Sequence, residues 1–272
     1  MTERHIIIGD VHGTIDEFNE LVDKLEITSN DVVISCGDLV DKGPDSPAVV
    51  KRAGEMVNHL VLGNHEEKHE RFRRSLINGS GNEKLRGYDE MASITAGLNQ
   101  ADVDWLNKAT LYHKFSSRGR DFLVVHAGIS PRMNDLPDLE KVSKMTNSQK
   151  KKLGSYNQLL RLRFVNEGGH FVMLGDEKPT DQFWANIYDG RFGHVFFGHQ
   201  PFLQESPKIF THATGLDLGC VLGGKLCAAI VSSDSDEIKY VTVEAAKQYC
   251  EPYVMCAVDP LAANANFGVT GS

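Results

Sequence analysis

The stretch Arg4-His5-Ile6-Ile7-Ile8-Gly9-Asp10-Val11-His12-Gly13 sets a β-branched run directly against an aspartate and a histidine two residues apart. Three successive isoleucines show no polar alternation, so they predict a strand buried on both faces, as in a sheet covered by helices. Gly9 ends that run. Side chains two apart leave an extended backbone on the same side, which places Asp10 and His12 together at the tip of a buried strand. Charge there is costly unless it is paired or bound to a metal. Taken alone, the motif fits a turn aspartate beside a chance histidine as well as it fits a ligand pair.

Four later runs repeat the arrangement. "DVVISCGD" ends at Asp38, "HLVLGNHE" at Asn64 and His65, "DFLVVHAG" at His126 and "HVFFGHQP" at His199. Between the first two runs, "IDEFNELVDKL" places Ile15, Phe18, Leu21, Val22 and Leu25 at helical spacing. Strand, helix, strand is a βαβ unit, and it brings the carboxyl ends of parallel strands to one edge, where open α/β sheets bind ligands. Pro44 and Pro47 precede "AVVKRAGEMV", expected to be a second crossover helix. The chain from about Glu66 to Ala109 reads as helical with a glycine-rich break at "NGSGNEK", a lid or insertion beside the site. After His199 strands are expected at "KIFTHAT", "GLDLGCVLGG", "KLCAAIVSS" and "IKYVTVEAA". Residues 1–250 are expected to form one α/β domain. Residues 251–272, which include "DPLAANANFGVTGS", lack apolar periodicity and are expected to form a loose tail.

Bulk properties narrow the function. The 272 residues carry 29 Lys and Arg against 37 Asp and Glu, a net charge of −8 that argues against broad attraction to nucleic acid. Anionic substrates would need local help, such as metal ions. No apolar stretch is long enough to span a bilayer and no charged-then-apolar leader opens the chain, so a cytoplasmic protein without membrane contact is expected. Cys36, Cys220, Cys227, Cys250 and Cys256 are odd in number and form no CxxC pair; they read as reduced, mostly buried thiols.

Strand ends that deliver Asp, His, Asp, Asn, His and His to one edge form a ligand set for two hard-to-borderline cations. Carboxylate, amide oxygen and imidazole suit manganese, iron or zinc, with manganese preferred here. Two such ions about 3.5–4 Å apart can share a hydroxide and clamp both oxygens of an in-line displacement at phosphorus. That chemistry is phosphoester hydrolysis.

The ordered motifs "GDVHG", "GDLVDKG", "GNHE", "HAG" and "GH", spread over roughly residues 5 to 200, resemble those of the calcineurin-like metallophosphoesterases, within the phosphoprotein phosphatase superfamily. The resemblance implies a β-sandwich flanked by helices, with a dinuclear metal site at strand ends. It implies Asp10 and His12 at the first metal, Asp38 bridging, and Asn64, His126 and His199 at the second. It also implies that His65 donates a proton to the leaving oxygen, oriented by Asp41, since a carboxylate beside an imidazole favours the protonated ring. Where the family commonly has arginine, this chain has Lys42, a point charge without the planar fork. Lys42, Asn64 and Arg191 are the expected phosphate-binding residues, with Arg132, Arg161 and Arg163 as further candidates; Glu66 reads as structural.

"HAGIS", "WANIYDGR", "FFGHQP" and "GLDLGCVLGGKLCAAIV" look like the bacterial branch that holds symmetrical diadenosine tetraphosphatases and related small phosphatases. Expected substrates are dinucleotide polyphosphates, phosphorylated small molecules or phosphoproteins, with nucleic acid only as a 5′-phosphate. A protein serine/threonine phosphatase and a non-catalytic metal- or nucleotide-binding module are the alternatives. Gly219, Gly224 and Lys225 have Walker A spacing, but Leu226 stands where Ser or Thr should hold magnesium, so a glycine turn is expected instead. "RFRRS" and "QKKKLG" read as solvated helix faces.

Overall fold

The computed structural model describes residues 3–79 and 87–251; all of the expected tail but Glu251 and most of the glycine-rich break lie outside the described residues. The three isoleucines occupy β1 (Arg4–Ile8) and are fully buried. β1 pairs in parallel with β2 (Asp31–Ser35) across helix α1 (Ile15–Leu25), and β2 pairs in parallel with β3 (His59–Leu60) across α2 (Ser46–Met56). The Asp45 side chain accepts the Ala48 N–H and Pro47 lies in the first turn, so the two together start α2. Antiparallel β12 (Lys225–Ser232) and β13 (Lys239–Glu244) complete the sheet on the other side of β1, in the order β13-β12-β1-β2-β3.

A second sheet has the order β10-β11-β9-β5-β4. It comprises β4 (Tyr112–Ser117), β5 (Arg120–Val125), β9 (His194–Phe197), β10 (Lys208–Ile209) and β11 (Ala213–Gly215), with β5, β9 and β11 parallel. The period-two geometry of β1 explains why its isoleucines need no polar alternation. Ile6 and Ile8 pack into one core with Phe18, Leu21 and Val50 of the helices. Ile7 packs into the other with Val124 and Phe196 of the second sheet. His5 stacks on Phe115 at 4.1 Å and Phe115 on Phe122 at 5.0 Å, tying the two sheets together. The architecture is therefore a mixed α/β sandwich of two sheets with helices outside, as the resemblance implies.

After β3 come α3 (Asn64–Ile77), α4 (Tyr88–Gly97) and α5 (Gln100–Leu106). Between β5 and β9 of the second sheet the chain forms α6 (Leu139–Ser143), α7 (Asn147–Lys152), α8 (Gly154–Arg161) and α9 (Trp184–Ile187). A small sheet accompanies them, with β6 (Phe164–Val165) between β7 (Phe171–Val172) and β8 (Gln182–Phe183). Most of "GLDLGCVLGG" departs from the expected strand. Gly219 and Gly223 adopt φ of +70° and +88°, and Cys220–Leu222 between them is a single 3-10 turn. Lys225 then opens β12 and pairs with Glu205 and Glu244, so no helix begins where a phosphate loop would need one.

Candidate metal centre

The tips of five strands meet. Val11 and His12, just beyond β1, both donate backbone N–H groups to the Asp38 carbonyl beyond β2, at 3.1 and 2.9 Å. Asp38 then faces three imidazoles: its carboxylate lies 3.6 Å from His12 Nε2, 3.8 Å from His65 Nε2 and 3.5 Å from His126 Nε2. Asn64, the first residue of α3, places Oδ1 3.0 Å from His126 Nε2. His199 follows β9; its ring lies 5.0 Å from that of His126, and its backbone N–H donates to Asp10 Oδ2 at 2.9 Å. Two compact donor groups result, His12 with Asp38 and His65, and Asp38 with His126 and His199, each with its ligand atoms within 4.8 Å of one another. Asp38 belongs to both.

The tautomers show what these groups are built for. His12 Nδ1 lies 2.9 Å from the Val40 carbonyl and His126 Nδ1 2.9 Å from the Cys36 carbonyl. A carbonyl only accepts, so both rings carry their proton on Nδ1 and turn an Nε2 lone pair into the site. His126 Nε2 consequently faces Asn64 Oδ1 and Asp38 Oδ1, acceptor against acceptors. Asp10 Oδ1 and His199 Nε2 are buried without a hydrogen-bond partner among the described residues. Such a collection of converging lone pairs fits cations and little else. Oxygen and imidazole donors without thiolate suit manganese, iron or zinc.

Charge follows the same logic. Burial, together with Asp217 and Asp38, pushes the Asp10 carboxyl well above its ordinary range. Burial acts against the charge on Asp38 as well, but His126, His65, His12 and Lys42 outweigh it and hold that carboxyl below the usual range. Burial lowers the pKa of His12, His126 and His199, which keeps their lone pairs free. Lys42 Nζ lies 2.9 Å from His12 Nε2, so a cationic group already meets one of these lone pairs.

The backbone is strained where the donors stand. Seven described non-glycine residues have positive φ, and five of them are His12, Asp38, Asp41, Lys42 and His199. Two glycines make room for carboxylates: a Cβ on Gly198 would overlap Asp10 Oδ1, and one on Gly63 would overlap Asp38 Oδ1.

Beside the donors, His65 Nδ1 meets Asp41 Oδ2 at 2.6 Å. Asp41 also receives Lys68 Nζ at 2.9 Å and pairs through Oδ1 with His69 Nε2 at 2.6 Å. Burial disfavours the charged carboxylate, but the bonds from His65 and His69 hold Asp41 below the usual range. Sequence reasoning missed Lys68 and His69, although 65, 68 and 69 follow the spacing of one helix face. It missed Asp217 too, a buried carboxyl pushed up to about 6 by burial.

The arginines separate. Arg163 donates to the His199 carbonyl and to Gln200 Oε1, both at 2.9 Å. Arg161 pairs with Glu67 at 2.6 Å, and its charge together with that of Arg163 lowers the His199 pKa. Arg191 instead binds Asp189 through Nε and Nη2 and the Pro131 and Met133 carbonyls through Nη1. Arg132 donates to the Gly168 carbonyl.

Residues 4–207 match the family model described as calcineurin-like phosphoesterase. The chain belongs to this family. It is therefore a phosphoester hydrolase that uses divalent metal ions. An asymmetrical bis(5′-nucleosyl)-tetraphosphatase of Oceanobacillus iheyensis is 28% identical over 249 residues, covering 82% of this chain and 86% of the relative. A symmetrical bis(5′-nucleosyl)-tetraphosphatase of Erwinia tasmaniensis is 28% identical over 262 residues, covering 81% and 91%. Among solved structures, a protein provisionally described as a diadenosine tetraphosphatase superposes with a TM-score of 0.66 at 22% identity, covering 89% of this chain and 94% of that one. A protein serine/threonine phosphatase from Saccharomyces cerevisiae gives 0.55 at 18% identity, covering 90% and 81%. These structural likenesses concern the fold. Among the described residues no helix is long and apolar enough to cross a membrane.

Proposed function

We propose that this metallophosphoesterase hydrolyses dinucleoside polyphosphates of the bis(5′-nucleosyl)-tetraphosphate type, with two divalent cations, preferably manganese. The observation that carries the dinuclear reading is Asp38, whose carboxylate belongs to both donor groups. His12, Asp10 and Asp38 would hold one ion, and Asp38, Asn64, His126 and His199 the other. When bound, the ions polarise phosphoryl oxygens and make an attacking water acidic enough to react near neutral pH. The choice of substrate rests on the relatives, in which both asymmetrical and symmetrical tetraphosphatases cover most of the chain.

The protein's own groups supply the rest. His65 keeps Nδ1 on Asp41 and so has Nε2 to offer a proton to the departing oxygen. Lys68 and His69 fix Asp41 from the other sides, which holds the ring in one orientation. Lys42 and Arg163 bring positive charge to the donors and are assigned to phosphate binding, together with Asn64. Arg191 is assigned to holding its own loop, because the Asp189 carboxylate offsets its charge and two carbonyls engage its Nη1, whereas the oxygens that Arg163 meets on His199 and Gln200 are neutral.

The deciding experiment measures release from diadenosine tetraphosphate, p-nitrophenyl phosphate and a phosphopeptide with manganese and then with chelator. Metal-dependent turnover, with kcat/KM highest for diadenosine tetraphosphate, is the expected result. A phosphopeptide preferred over the dinucleotide would replace the substrate class. No release from any of them would leave only a binding role.

A further inference from the structure

Helices α3, α4 and α5 together with α6 surround a cavity of about 990 Å³, apart from the cluster of metal donors. Its size is at the upper end of small-molecule sites. Leu98, Val103, Leu106 and Leu111 give it an apolar wall. Leu76 and Ile77, at the end of α3, also line it and are 41% and 84% exposed, an apolar lip open to solvent.

Among the described residues, two polar atoms in this wall lack partners: Arg73 Nη1 and Thr95 Oγ1 are both buried with no hydrogen bond, and both residues line the cavity. A buried guanidinium N–H without an acceptor is expensive, and burial lowers the Arg73 pKa accordingly. The neighbouring carboxylates do not relieve it by hydrogen bonding: Glu70 is bound by Arg74 at 2.5 Å, and Glu66 uses both oxygens on backbone N–H groups. Lys108 and Lys150 join Arg73 and Arg74 in the lining, so its cations outnumber the carboxylates Glu66 and Glu70 that also line it.

We propose that this cavity is a second ligand site, taking an amphipathic monoanion: an apolar body that carries one carboxylate. The apolar wall would bury the body, while Arg73 and Thr95 present an N–H and a hydroxyl to the carboxylate. A charge-assisted pair of this kind separates the anion from a neutral analogue of equal length by about tenfold or more in affinity.

The test is calorimetric titration of the whole chain with decanoate, below its micelle concentration, and with decanol. Saturable one-to-one binding of decanoate, at least about tenfold tighter than decanol, is expected. Arg73→Met keeps the apolar stem and should reduce decanoate to the affinity of decanol, while p-nitrophenyl phosphate turnover stays as in the unmodified chain. Should that variant fold poorly, Thr95→Val should weaken decanoate alone, and Val103→Trp, which fills the cavity, should remove both ligands. Absence of saturable binding, equal affinity for decanol, or full affinity in a folded Arg73→Met would overturn the proposal. Competition between decanoate and p-nitrophenyl phosphate would move the binding to the metal centre and overturn it as well.

Discussion

The carboxylate of Glu66 holds the backbone of Asp38: Oε2 accepts the Asp38 N–H at 2.7 Å and the Gly63 N–H at 3.1 Å, while Oε1 accepts the Leu39 N–H at 2.7 Å. One buried side chain thus fixes the loops that carry Asp38 and Asn64. Glu66→Gln keeps one acceptor and turns an amide NH2 towards an N–H. The variant should lose about 1.5–3 kcal/mol of stability, read as a lower denaturation midpoint. It should also bind manganese more weakly, as seen by metal titration. Unchanged stability would mean that Glu66 does not hold these loops.

His65→Ala should separate substrates by their leaving group. An alkyl phosphate, whose alkoxide must be protonated, should lose about 10²–10⁴-fold in kcat, whereas p-nitrophenyl phosphate should change far less. Equal losses on both would remove His65 from the acid role. Asp41→Asn should reproduce the pattern more mildly, because the ring keeps its Nε2 but loses its charged anchor.

Gly198→Ala should disable the centre while the sheets persist. The added methyl group would overlap Asp10 Oδ1, and the carboxylate must move away from His199. Metal content per chain, measured after equilibration with manganese, should fall, and turnover should drop by about 10²-fold, as for a reacting group displaced by roughly 1 Å. A circular dichroism spectrum like that of the parent would show that the sheets are intact. Full metal content in the variant would contradict the assignment of Asp10.

Acid should destabilise the sandwich at the histidine stack. His113 lies on His59 with ring centres 3.8 Å apart, and burial, then His59 and His5, lowers its pKa to about 4. His194 is likewise lowered to about 4, by burial and then Arg120 and His212. The unfolded chain, titrating near 6.5, takes up these protons first, so stability is complete above that pH and falls between about 6.5 and 4. His113→Phe keeps the stack and removes one titrating group. Its melting temperature should decline less steeply than the parent's from pH 7 to 5; parallel declines would exclude His113.

Much of this was legible because burial and chemistry coincide in the same short runs. Ile6, Ile7 and Ile8 needed cover on both faces, and only helices on one side and a second sheet on the other provide it. Asp10, His12, Asp38, Asn64, His126 and His199 each end or follow such a run, and the structure brings them together. What stayed hidden depends on tertiary approach. Arg163 and Arg191 look alike in sequence; the His199 carbonyl meets one and Asp189 the other. His69 is distinguished from a surface histidine only once Asp41 arrives from another loop. Asp217 sits in a glycine-rich stretch that reads as strand, because the left-handed turns at Gly219 and Gly223 leave no trace in hydrophobic periodicity.

The left-handed backbones at His12, Asp38, Asp41, Lys42 and His199 impose an asymmetry on how this chain can be improved. Glycine or asparagine at those positions would ease the conformation while deleting the donor or cation that stands there. Laboratory selection for heat resistance alone would therefore erode the centre before the sandwich, and variants should be screened for metal uptake as well as melting.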